Sequence, residues 1–100
     1  MTNAAITRAQ QIMDETRQGD DSNARRAARA MLAIFPSYDD DTLDTALSDI
    51  MCDIRHLCDL AGFDFYEVEA SARRGYTGEL AATGLAVDVA LCAAIQEDLQ

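Results

Sequence analysis

A hydrophobic period constrains this chain more than any other feature. From Leu43 the apolar residues fall at Leu43, Ala46, Leu47, Ile50, Met51, Ile54, Leu57, Cys58 and Ala61. Spacings of three and four draw one stripe along a helix. Asp39, Asp40 and Asp41 precede it, where a cap and the positive end of the helix dipole favour acids. Gly62 follows it, where a left-handed C-cap belongs. The pattern predicts a helix of about five turns.

Weaker patterns flank it. Ala24, Ala27, Ala28, Met31, Leu32 and Phe35 predict a helix with Asp20, Asp21 and Ser22 as cap candidates and Pro36 as its stop. Ile6, Ala9, Met13 and Thr16 predict an amphipathic helix before it, closing at Gly19. Beyond Gly62, Asp64 stands as an N-cap with Glu67 at N3, and Phe63 and Val68 take the two staple positions. A fourth helix is predicted from Phe65 towards Tyr76. Later, Gly75, Gly78 and Gly84 break the pattern, and Leu85, Val87, Val89 and Leu91 alternate as a strand would. A strand needs a partner that nothing else in the chain offers. Alanine density and the ending CAAIQEDL favour a largely buried helix instead. The expectation is all-α: one domain, residues 1–100, a bundle of four or five short helices. Residues 77–99 stay open between one helix and two.

The 100 residues hold 49 hydrophobic ones, of which 18 are alanine, leaving 31 larger apolar side chains for a thin but adequate core. All eight bases are arginine, and 18 acids bring the net charge to −10. That balance disfavours direct binding to DNA, RNA or anionic membranes. The N-terminal stretch lacks an apolar core of signal-peptide length, and no run approaches a membrane span. Cys52, Cys58 and Cys92 are odd in number and lack CxxC spacing, as suits reduced thiols in a cytoplasmic protein.

The charge is local. Residues 1–38 carry four acids and five arginines, residues 39–69 ten acids against Arg55 alone, and residues 70–100 four acids and two arginines. The middle segment therefore holds −9 of the −10. On a helical wheel Asp44, Asp49, Asp53 and Asp59 lie on the polar side and flanks of the third helix, with Ser48, Cys52, Arg55 and His56 between them. Asp41 to Asp59 spans about 27 Å. Asp49 and Asp53, four apart, repel each other by a few tenths of a kcal/mol. Spaced carboxylates of this kind imitate a phosphate track and compete for a basic groove. The plain alternative is a solvated face whose charge only keeps the protein soluble, and Arg25, Arg26 and Arg29 on the second helix with Arg73 and Arg74 on the fourth could also neutralise it internally.

Asp49, Cys52, Asp53, His56 and Asp59 are ligand types at ligand spacing, but one helix supplies only two or three ligands and no second histidine exists. No metal or cofactor is expected. His56 with Asp53 or Asp59 could serve as a base, yet no nucleophile or phosphate loop accompanies it. The five glutamates are too scattered for an all-α NTP pyrophosphatase, so catalysis is not expected. Tyr38, read as a loop residue between Pro36 and the acid run, is a candidate interface anchor.

The stretch ALSDIMCDIRHLCDLAGFDFYEVEASARRGYTGEL, Ala46 to Leu80, resembles a recurrent segment in small uncharacterised proteins of phages, prophages and plasmids. Its pattern is Ala46-Leu47, Asp49, Asp53, Arg55-His56, Cys58-Asp59, Gly62, Asp64-Phe65, Ala72-Arg73 and Tyr76. The resemblance implies a mobile-element setting, in which small acidic proteins often act against host defence as anti-CRISPR or anti-restriction proteins. Together with the charge it leads to an inhibitor that occupies the basic surface of a host nucleic-acid-binding complex, a CRISPR surveillance complex being favoured. Tyr38, Asp39, Asp40, Asp41, Asp44, Asp49, Asp53, His56 and Asp59 are its expected contact residues. The alternative is an accessory or regulatory protein that docks through apolar surface, for instance as a homodimer.

Overall fold

The structure, a computed structural model, describes residues 3–17, 19, 22–38 and 42–99. Five helices run through them, α1 (Asn3–Glu15), α2 (Asn23–Tyr38), α3 (Leu43–Ala61), α4 (Phe65–Thr83) and α5 (Val89–Asp98), and among the described residues there is no strand. The helix ends follow local chemistry. Ser22 Oγ accepts the Arg25 amide at 3.2 Å to start α2. Asp64 accepts the amides of Tyr66 and Glu67 to start α4. Gly62, at φ 77°, closes α3: its amide reaches the Asp59 carbonyl, and the Phe63 amide reaches that of Cys58 at 2.9 Å. This is the paired closure of a left-handed C-cap, which a side chain at that φ would strain.

Three boundaries differ from expectation. Pro36 lies inside α2, which continues to Tyr38. In the last turn the ring removes one backbone bond, and the chain tolerates that loss where few turns remain to be broken. Tyr38 is consequently a helical residue and not a loop one. Gly75 and Gly78 sit within α4, which runs to Thr83 and not merely towards Tyr76, before Gly84 at φ 79° ends it. Leu85–Asp88 is a connection, and α5 begins only when Asp88 caps it, so residues 77–99 hold the end of one helix and the whole of another. Thr42 stands at the start of α3; Asp39, Asp40 and Asp41, like the cap candidates Asp20 and Asp21, lie outside the described residues.

The core sits where α1, α2 and α5 meet. Ala5, Ala9 and Ala28 are fully buried, and such small side chains let α1 and α2 approach closely. Ile12, Met31, Leu91 and Ala94 fill the space between, with Met13, Leu32 and Ile95 against them. Polar ties reinforce the same trio. Arg25 donates to the Met13 carbonyl at 2.9 Å and the Thr16 hydroxyl at 2.7 Å, capping the C-terminal end of α1. Helices α3 and α4 are different. Only Ala46 and Cys58 of the α3 stripe are buried, and α4 buries nothing. The far end of α4 is held by Asn23, which donates to the Glu79 carbonyl at 3.0 Å, and by the Arg26–Glu79 ion pair. The two helices form an arm beside the core. A radius of gyration of 14.6 Å, against about 13 Å for an average domain of this length, reflects it.

The α5 helix is less covered than its alanines suggest: Leu91 and Ala94 are buried, while Val89, Cys92 and Ala93 are exposed. Several polar bonds meet at its start. Asp88 Oδ1 caps it by accepting the Leu91 amide at 2.8 Å, and both carboxylate oxygens receive the Arg8 guanidinium, at 3.1 Å from Nε and 2.7 Å from Nη2. The Arg8 hydrogen bonds, then the Leu91 amide, hold the Asp88 carboxyl below the usual carboxylate range. A depressed folded pKa stabilises the fold above the unfolded value of about 3.9, and that contribution is lost as pH falls through the folded value. Asp88→Asn keeps a competent cap but drops the charge. It should cost about 1 kcal/mol in urea unfolding at neutral pH, and the difference from wild type should vanish in acid.

Candidate partner-binding face

The outer side of α3 carries the expected residues. Asp44, Asp49, Cys52, Asp53, His56 and Asp59 are all exposed; Asp49, Cys52, His56 and Asp59 lie opposite the apolar stripe, while Asp44 and Asp53 flank it beside Cys58 and Ala46. Their placement follows from the period: the apolar stripe turns Ala46 and Cys58 towards other side chains, and the residues between its steps point to solvent. Cys52 and Cys92 are exposed and Cys58 buried, all three as free thiols.

Among the described residues no ion pair joins an arginine to an acid of α3. Arg25 caps α1, Arg26 pairs with Glu79, and Arg73 pairs with Glu69. The remaining described pairs, Arg8 with Glu15 and Asp88 and Arg17 with Asp14, also leave α3 alone. Arg55, the one base on the helix, turns towards α4. Its guanidinium lies 4.8 Å from the Phe65 ring centre and 5.3 Å from that of Tyr66, and donates to the Tyr66 hydroxyl at 3.4 Å. The two rings meet edge to face at 5.8 Å. Arg55 thus bridges the arm by cation–π contact and forms no ion pair with the acids of α3.

Two of the acids are tethered. The Thr42 hydroxyl donates to Asp44, and that bond together with the Thr45 amide holds the Asp44 carboxyl below its usual range, so it stays charged. The Tyr38 hydroxyl donates to Asp53, joining the end of α2 to the middle of α3. That bond, with the charge of Asp53 and then Asp49, raises the Tyr38 pKa. Tyr38 and Asp53 therefore act as one unit, which the sequence reading as a loop anchor had missed. No local signal marks that contact, which spans 15 residues and depends on α2 continuing through Pro36.

Asp39, Asp40 and Asp41 lie outside the described residues. Among the described residues no three His, Cys, Asp or Glu side chains gather as metal ligands, so Asp49, Cys52, Asp53, His56 and Asp59 line a face without converging. No helix among the described residues is long and apolar enough to cross a membrane. What the face offers chemically is a set of exposed carboxylates, two of them tethered, whose field attracts cationic surfaces and repels phosphates. No family model, curated protein or solved structure matches the chain.

Proposed function

We propose that this single helical domain is an interaction protein, acting in the cytoplasm of a bacterial host. It sets the acidic side of α3 into the basic nucleic-acid-binding groove of a host defence complex, a CRISPR surveillance complex first among them. It works by occupancy, without catalysis or a cofactor. One observation carries the reading: Asp44, Asp49, Asp53 and Asp59 are exposed and, among the described residues, none has an ion-pair partner. A stripe that were only a soluble surface would lose nothing by alternating its signs.

The spacing supports it. Asp49 and Asp53 are about 6 Å apart along the axis, close to two nucleotide steps of about 3.4 Å each. Asp39, Asp40 and Asp41 add charge immediately before the helix in the chain, and His56 lies between Asp53 and Asp59. The same charge repels nucleic acid itself, so the target is the protein groove. Resemblance of residues 46–80 to mobile-element proteins agrees with an anti-CRISPR-type role. The test is competition on a purified CRISPR surveillance complex. Target duplex DNA and this chain should exclude each other, and a complex that binds both at once without loss of affinity contradicts the proposal.

A further inference from the structure

The acidic side of α3 leaves its other side unexplained. Leu47, Met51 and Leu57 on the apolar stripe of α3 are exposed, Leu57 to 60%, and so are Phe63 at 65%, Val68 and Tyr76 along the turn and α4. The 19 residues of α4 include none that is buried, so the ties to Asn23, Arg26 and Arg55 hold the helix in place while its apolar side chains stay in water. This arm needs cover.

Beside it the core has an opening of the matching kind. Ala27, a member of the α2 stripe, is exposed at the floor of a groove between α3 and α5. One hollow there, of about 250 Å³, is lined wholly by apolar residues that include Ile34, Leu47 and Ile95. A second, of about 210 Å³, continues past Ala27 to Val87 and Cys92. We infer that arm and groove are the two halves of one interface, and that the occupant is a second copy of this chain.

Area supports the choice. The accessible surface is 6858 Å², whereas a compact monomer of 10.9 kDa exposes about 5,600 Å². The excess, about 1,300 Å² by subtraction, exceeds the roughly 800 Å² that each partner hides in a standard interface. Complementarity supports it too. Leu47 belongs both to the arm's exposed stripe and to the groove wall, and a twofold axis that sets each arm into the other copy's groove covers both at once and closes the assembly. Asp49 and Asp59 lie opposite the stripe, so the pair displays two acidic faces. This inference stands apart from the proposed function. Two copies of charge −10 repel, so added salt tightens the dimer while it weakens attraction to a basic groove.

Sedimentation equilibrium of the full chain should give twice 10.9 kDa, with association that strengthens as salt is raised. Phe63→Ser on the arm and Ala27→Arg in the groove replace exposed residues, and each alone should yield a monomer with unchanged helical circular dichroism. A monomeric mass at every concentration overturns the inference, as does a larger closed species or a dimer that survives both substitutions. Thiol alkylation of the wild-type chain reads the same surface without a variant. Cys52, on the acidic side, should react at least about tenfold faster than Cys92, which lines the groove. Equal rates for the two contradict the covered groove.

Discussion

The chain carrying Asp49→Arg together with Asp53→Arg should lose affinity for a basic groove on the order of 100-fold while remaining helical. The two side chains sit one turn apart and exposed on α3, and neither contributes to the core. Reversal replaces one repelling i,i+4 pair by another, so the helix itself changes by only a few tenths of a kcal/mol. The net charge moves from −10 to −6, since each substitution adds two, and the whole change falls on one face. Loss of the Tyr38–Asp53 bond is part of the effect, because it fixes where Asp53 points. Asp49→Asn with Asp53→Asn should fall between wild type and the reversal. Surface plasmon resonance on an immobilised surveillance complex checks the order, and full affinity in the reversed chain removes the acidic face from the account.

Met31→Ala should be the most damaging of the core truncations, at about 2–5 kcal/mol in urea unfolding. Met31 is 4% exposed and belongs to the cluster that joins α1, α2 and α5. Among the described residues five of the ten buried ones are alanines, so few large side chains fill this core and truncating one leaves a cavity. A domain of 100 residues has about 5–15 kcal/mol of stability in total, so the variant stands close to its unfolding threshold. Met31→Leu keeps the volume and should cost less than about 1.5 kcal/mol. Equal losses for the two would mean that the site responds to something other than packing.

Local chemistry made most of the helices legible. Asp64 caps α4, Gly62 closes α3, and Ser22 starts α2 because a side-chain acceptor or a positive φ is decided within a few residues. The location of the charge was legible for a similar reason, since exposure of polar positions follows from the period of the stripe. Burial was not. The stripe from Leu43 to Ala61 says that one side of α3 is apolar, but only Ala46 and Cys58 of it are buried within the chain. Periodicity records that a face needs cover and is silent on which chain supplies it. The Arg8–Asp88 and Tyr38–Asp53 contacts were equally out of reach, because they join residues far apart in sequence. Gly75 and Gly78 misled in the opposite direction: each lowers helix propensity by about 1 kcal/mol, a cost the rest of α4 absorbs.

The claim on which the account turns is that fixed negative charge on α3 does the binding. Its direct measurement is the affinity of the wild-type chain for a purified surveillance complex as salt rises from about 50 to about 200 mM. The affinity should fall roughly tenfold or more over that range, steepest for the wild type and nearly flat for the Asp49→Arg, Asp53→Arg chain. An affinity that holds constant across the same salt range, and is shared by both chains, would contradict it.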